Sequence, residues 1–131
     1  MEIEQALHQR WHDSTTLDGL LSAARVTTGR SSLESLPRAT LGRRGKRTVG
    51  RTNAGEVLEE VTIEMRLRHE SFDDGATIVR AFRDEFDRCR FALSGGAKVL
   101  HLRHVEDDCR QLDNGTWLFR VEMVARVFLP G

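Results

Sequence analysis

Thr116–Leu129 reads TWLFRVEMVARVFL and is the longest run of strand-type sequence in this chain of 131 residues. One face of the extended run carries Trp117, Phe119, Val121, Met123, Ala125 and Val127. The other face mixes charged and apolar side chains, namely Leu118, Arg120, Glu122, Val124, Arg126 and Phe128. A period of two is typical of a β-strand, and apolar residues on both faces indicate burial on both sides. We therefore predict a long closing strand that is covered on both sides for part of its length.

Two earlier segments show a similar pattern. Between residues 57 and 68, the apolar residues Val61, Ile63, Met65 and Leu67 alternate with polar ones, which predicts a half-buried strand. AKVLHLRHV (Ala97–Val105) predicts another strand, which runs into an acidic loop within HVEDDC (His104–Cys109). DNG (Asp113–Gly115) is a strong hairpin signal. These strands are therefore expected to form an antiparallel sheet.

Helical spacing appears in two places. In SFDDGATIVRAFRDEFDRCRF (Ser71–Phe91), an apolar stripe of Ile78, Phe82 and Phe86 predicts a helix over residues 74–90, capped by Asp73 or Asp74 and ended by the SGG that follows. We expect this stripe to pack on the sheet face that bears Ile63 and Met65. At the N-terminus, MEIEQALHQRWHDS predicts a short amphipathic helix, and STTLDGLLSAARV one or two further helical turns.

The fold class follows from the order of these elements. Leu36-Pro37 starts a short strand, RATL, because proline is tolerated at the first residue of a strand. The length suits one domain, residues 1–131, with a single core. We predict an α+β fold: an antiparallel sheet of about four strands, with one long helix packed across a face and an N-terminal helix.

The unusual segment is RRGKRTVGRTNAG, residues 43–55. It holds five basic side chains and no acid, although Lys and Arg equal Asp and Glu at 20 each in the whole chain; the five are Arg43, Arg44, Lys46, Arg47 and Arg51. Four glycines and little apolar area favour a flexible basic arm at 43–55. The arm could contact phosphates, but no aromatic residue lies between Trp11 and Phe72 to stack on bases. A nucleic-acid grip, a solvated loop and an assembly arm all remain open.

Enzymatic patterns are missing from the sequence. His8 and His12 have zinc-type spacing on the predicted helix, but the zincin pattern needs Glu where Gln9 stands. His101 and His104 are expected on opposite faces of a strand, so we interpret HVEDDC as a strand end rather than as a ligand cluster. GxSxG, GxGxxG and the phosphate loop do not occur. We predict no enzyme, no cofactor and no metal.

The cysteines and the hydropathy bear on location. Cys89 and Cys109 have neither metal-type nor CxxC spacing, and no signal peptide follows Met1, which favours a reducing cytoplasm. No apolar run approaches the roughly 20 residues that span a bilayer. We expect a soluble protein with no membrane partner.

Taken from about Leu17 onward, the order of motifs resembles a known family. The Leu36-Pro37 strand start, the long polar excursion, the VTIEMRLRH strand, the FDDGATIVRAFRDEFD helix and the closing TWLFRVEMVARVF strand are similar to those of the small tail-completion proteins of long-tailed bacteriophages. This is the tail terminator and tail-to-head joining family. The family usually continues Leu-Pro with aromatic or β-branched residues, where this chain has Arg38-Ala39.

The resemblance implies a function by assembly. Such proteins form a ring, commonly a hexamer, that caps the tail tube, faces the head connector and lets DNA pass through its lumen. The chain would then assemble in the bacterial cytoplasm and end in the virion tail or neck. The basic arm would lie at a subunit interface or in the lumen. The alternative is a small nucleic-acid-binding module that uses Arg43–Arg51 on phosphates, with a steep salt dependence of binding.

Overall fold

A computed structural model describes residues 2–29 and 35–131. Strands hold 47% of these residues. The helices and strands are α1 (Ile3–Asp13), α2 (Thr15–Leu20), β1 (Val26–Thr28), β2 (Arg38–Arg51), β3 (Val57–His69), α3 (Phe72–Phe86), β4 (Phe91–Ala92), β5 (Lys98–Gln111) and β6 (Trp117–Leu129). Short 3₁₀ turns lie at Ala23–Arg25 and Ser94–Gly96.

The sheet corrects the predicted fold class. It has six strands in the order β1-β2-β3-β6-β5-β4 and is mixed, because β1 runs parallel to β2 while the other pairs are antiparallel. It curls into a half-barrel, accompanied by three short helices of 11, 6 and 15 residues. The prediction of a four-stranded antiparallel sheet with one long helix was therefore wrong. β1 and β4 have only three and two residues, too few to produce a period of two.

The basic segment is also not a loop. β2 continues from the predicted RATL strand through Arg51 and pairs with β3 along its length, from Arg38 opposite Arg68 to Arg51 opposite Val57. The turn is confined to Thr52–Glu56, where the amide of Thr52 donates to the carbonyl of Glu56 at 2.9 Å. Backbone hydrogen bonds to β3 hold this segment as a strand, although its polar sequence shows no strand pattern. That the segment is mobile in the free protein stays a prediction.

β5 likewise extends beyond the predicted strand end. The acidic residues expected in a loop belong to β5, with Asp107 opposite Val121 and Cys109 opposite Phe119 on β6. β2 and β5 each pair with register shifts at two points, between Arg43/Gly45 and Thr48/Gly50 and between Val99/His101 and His104/Glu106. Such bulges bend the strand and increase its twist. Four of them on two long hairpins explain why the sheet curls.

The core lies on the inner, helix-covered face of the sheet. Buried residues of β3 and β6 pair across the strands, with Ile63 opposite Met123 and Met65 opposite Val121. The α3 residues Ile78, Phe82 and Phe86 belong to the same buried cluster, which confirms the predicted packing. α1 adds Trp11, whose indole N–H donates to the carbonyl of Leu21 at 2.9 Å.

The ends of α3 differ from the prediction. Ser71 rather than Asp73 or Asp74 caps the helix, because its hydroxyl accepts from the amide of Asp74 at 3.2 Å. The helix ends at Phe86, before the predicted SGG, and the chain leaves through Arg88 at a φ of 67°. Gly75 in the first turn lies directly on the ring of Phe119. This close approach fixes α3 against β6.

Candidate interaction surface

Arg43, the first residue of the basic segment, is tied to the start of α1. Its Nε lies 2.6 Å from Oε1 of Glu4, and its Nη2 lies 2.9 Å from Oε2 of Glu2. Glu4 is only 17% exposed at its side chain. The hydrogen bond from Arg43 holds the pKa of Glu4 below its usual range and raises the pKa of Arg43. Arg43 therefore serves first as an intramolecular clamp between β2 and α1.

The next three basic residues are also paired within the chain. Nη1 of Arg44 lies 3.3 Å from Oε2 of Glu64 and 3.5 Å from Oε1 of Glu122. Lys46 lies 3.8 Å from Glu59. Arg47 lies 3.1 Å from Glu60, and its hydrogen bond lowers the pKa of that carboxyl.

Arg51 differs from the other four. In the part of the chain that the structure describes, it contacts no acid. The structure thus places all five predicted residues on one strand, with four of them neutralised by carboxylates from α1, β3 and β6. The sequence could not show this, because those acids lie as far as 78 positions away along the chain.

The outer face of the sheet, opposite the helices, is a field of alternating charges. Glu64 on β3 lies at its centre and contacts Arg44, Arg66 and Arg120 at 3.3, 3.4 and 3.8 Å. Arg120 also reaches Asp108, and Arg126 reaches Glu60. Over the middle of this face, positive charge is therefore balanced by negative charge.

At one end of the outer face, arginines from neighbouring strands lie close together. Register places Arg38 of β2 opposite Arg68 of β3, and Leu118 of β6 lies between Arg68 and Arg110 of β5. Together they form one row across four strands. A recess of about 300 Å³ opens over this row and is lined by Arg38, Thr40, Arg66, Arg68, Arg110, Leu112 and Leu118. We call it the arginine recess.

Sequence reasoning missed the arginine recess. Its four arginines come from three strands, and none of them lies in the segment 43–55. The alternation in β3 indicates that Arg66 and Arg68 point away from the core. Only the strand register shows that these two arginines lie near Arg38 and Arg110. The sequence therefore indicates the face of the sheet but not the cluster.

The sheet has two open edges. Beyond Leu41, no described strand pairs with the outer side of β2, and this β2 edge (Gly42–Arg51) is wholly basic in its charged residues. The side of β5 that faces away from β6 is covered as far as His104 by β4 and by the residues that follow α3. The amide of His104 donates to Asp87. The remaining β5 edge (Val105–Gln111) carries three acids and one arginine: Glu106, Asp107, Asp108 and Arg110. The two edges are thus opposite in charge.

The histidines and cysteines do not converge on a reactive site. His8 Nε2 is 2.9 Å from the carbonyl of Ala23, and His104 Nε2 is 3.0 Å from Asp107. Among the described residues, no cluster of His, Cys, Asp or Glu could hold a metal ion. Cys89 is a free thiol whose pKa is raised by burial, so it is not an activated nucleophile.

Within residues 2–29 and 35–131, no helix is long and apolar enough to cross a bilayer.

Neither protein-family models nor the curated proteins show a match to this chain. Among solved structures, one similar chain comes from a structure described as the virion of a native gene transfer agent (GTA) particle. The TM-score is 0.78 at 14% sequence identity, and the alignment covers 97% of this chain and 95% of the other. At this identity the likeness shows a shared fold, which extends over nearly the whole of both chains.

Proposed function

We propose that this chain is a non-enzymatic structural protein of a phage-like particle. In this proposal it caps the tail tube and joins the tail to the head as an oligomeric ring. The observation that carries the proposal is the fold shared with a virion chain over 97% of the length. The finer role is supported by the resemblance of the Leu36-Pro37 start, the α3 helix and the β6 strand to tail-completion proteins. Its partners would be the tail-tube protein and the head connector, and its location the virion tail or neck after assembly in the bacterial cytoplasm.

The two open edges supply a contact that suits a ring. The β2 edge is basic and the β5 edge is acidic, and they lie on opposite sides of the same sheet. A contact between two different patches repeats from copy to copy and closes into a ring when the rotation allows. Backbone hydrogen bonds along the edges would join neighbouring sheets. Two charges that have no opposite partner among the described residues, Arg51 on the β2 edge and Glu106 on the β5 edge, would select the partner edge.

The edges also indicate how neighbours are staggered. The β2 edge lies toward the β2–β3 turn, whereas the β5 edge lies toward the β5–β6 turn. Copies that pair through them are therefore offset along the strand direction. Strands in a closed barrel are staggered in the same sense, because closure requires tilt.

In this arrangement the basic segment belongs to the subunit interface. Four of its five side chains are already neutralised within the chain, which leaves little free charge for DNA. The alternative of a nucleic-acid module built on Arg43–Arg51 is less well supported for the same reason.

Tail assembly in vitro tests this function. Tail-tube protein polymerised with the chain should give tubes that stop growing and carry a ring at one end in negative-stain electron microscopy. Glu106→Lys, which reverses an exposed acid of the β5 edge, should leave tubes uncapped. Asp113→Lys makes the same charge change at the exposed β5–β6 turn, outside the β5 edge, and should cap normally. Tubes of identical length with and without the wild-type chain would reject the proposal.

A further inference from the structure

The arginine recess differs from the rest of the outer face in its electrostatics. On the neighbouring part of this face Glu64 pairs with Arg44 and Arg120, and it also pairs with Arg66 of the recess lining at 3.4 Å. Among the described residues, the lining of the recess includes four guanidinium groups and no carboxylate. Like charges placed directly opposite each other across strands are destabilising. Glu64 offsets the charge of Arg66, whereas Arg68 and Arg110 have no carboxylate within ion-pair distance among the described residues.

Two of the arginines are poorly satisfied by the protein itself. Among the described residues, the buried Nε of Arg68 has no hydrogen-bond partner, and its Nη2 donates to the hydroxyl of Thr116 at 3.3 Å. The guanidinium of Arg110 is exposed and makes no ion pair or hydrogen bond in the described parts of the chain. Guanidinium groups stay charged at all accessible pH values. They cannot relieve this repulsion by losing a proton.

The floor of the recess strengthens the effect. Leu118 is 8% exposed and lies between Arg68 and Arg110 in the row, and Leu112 adds further apolar surface. Apolar surroundings screen charge less than water does, so an anion held above this floor interacts more strongly with the guanidinium groups.

We propose that the arginine recess is a binding site for a phosphate group. The planar fork of arginine matches the oxygens of phosphate and donates paired hydrogen bonds to them. Arg66 and Arg68 approach the recess from β3 and Arg110 approaches it from β5, so they can contact one tetrahedral anion from two sides. The phosphate can belong to the backbone of double-stranded DNA or be free in solution. The site lies on the outer face, and the inference does not depend on the ring.

The test uses the full chain with two probes, a short fluorescent DNA duplex and inorganic phosphate. Arg110→Gln removes one donor without breaking a contact inside the protein. Its affinity should fall about tenfold, and the slope of log affinity against log salt for the duplex should shrink by about one. Arg103→Gln is the matched control, because Arg103 is also exposed on β5 and points to the outer face, opposite Val124. It should change affinity less than twofold.

The outcomes separate the sources of the phosphate. Duplex binding that Arg110→Gln weakens and Arg103→Gln does not supports a nucleic-acid backbone. Binding of inorganic phosphate alone, with the same dependence on Arg110, supports a free phosphate. Equal losses in the two variants, or no binding of either probe, would overturn the proposal. Binding of a polyglutamate peptide as tightly as either phosphate probe would also overturn it, because the recess would then not distinguish phosphate from carboxylate. Equal melting temperatures of the two variants establish that both remain folded.

Discussion

Nε of Arg43 donates to Oε1 of Glu4 across 2.6 Å, which joins the middle of β2 to the first turn of α1. The two residues are 39 positions apart in the chain. Arg43, from the most basic segment of the sequence, therefore helps to hold the N-terminal helix α1 against β2.

Arg43→Ala should therefore lower the free energy of unfolding. Loss of a well-aligned pair of hydrogen bonds to carboxylates costs about 1 kcal/mol at a partly exposed site. Arg51→Ala is the control, since Arg51 has no acidic partner among the described residues, and should stay within about 0.5 kcal/mol. Urea denaturation of both variants measures the difference, and equal midpoints would show that the Arg43–Glu4 contact contributes nothing.

The same contact makes the free energy of unfolding depend on pH in the acid range. The pKa of Glu4 is lowered in the folded protein, chiefly by the hydrogen bond from Arg43. The resulting stabilisation is complete above the unfolded pKa of about 4.3 and is lost as the pH falls through the lower, folded pKa. Glu4→Gln should flatten the loss of stability below that pH. Glu70→Gln, at an exposed acid, should keep the wild-type profile, and a wild-type profile for Glu4→Gln would contradict the assignment.

Gly75 offers a test of how closely α3 approaches the sheet. A Cβ at this position would lie 2.6 Å from Cζ of Phe119, which is tighter than packing allows. Gly75→Ala should cost about 1–3 kcal/mol through overpacking, despite the better helix propensity of alanine. Gly19→Ala in α2 is the control, because nothing lies within 4 Å of its added Cβ. It should be neutral or stabilising by up to about 1 kcal/mol, and thermal melts of the two variants compare them.

Hydrogen exchange addresses the mobility predicted for residues 43–55. No described strand pairs with the outer side of the β2 edge, which is rich in glycine and almost free of buried apolar area. Its amides should therefore exchange faster in the dilute protein than those of residues 39–41, which lie between β1 and β3. Protection across 43–55 equal to that of 39–41 would show that the paired strand is rigid throughout.

The elements with regular apolar spacing could be predicted from the sequence. α1, β3, α3 and β6 lie close to where alternation or helical stripes indicate them, because burial of one face imposes that spacing. The second half of β2 was not predicted as strand because it makes no contact with the core, so Arg43–Arg51 shows no apolar period of two. The acidic half of β5, at Glu106–Asp108, was not predicted as strand for the same reason.

The candidate surfaces depend on strand order and register, which one sequence does not contain. The basic residues of the β2 edge were identified, but their carboxylate partners were not, because Glu64 and Glu122 become neighbours only through the β3–β6 pairing. The arginine recess depends on the register of four strands, β2, β3, β6 and β5. A sequence pattern can indicate which face a side chain occupies, whereas a charge cluster also depends on what lies beside it.

Mixing two charge-reversed variants tests whether the chain assembles through its two open edges. One variant reverses the β2 edge (Lys46→Glu with Arg51→Glu), and the other reverses the β5 edge (Glu106→Lys with Asp108→Lys). Each alone places like charges across every proposed subunit contact and should remain monomeric in analytical ultracentrifugation, whereas the wild type should form a ring. Mixed in equal amounts, the variants regain opposite charges at each contact when they alternate, so a ring with an even number of subunits should reappear. A mixture that sediments no faster than either variant alone would exclude assembly through these two edges.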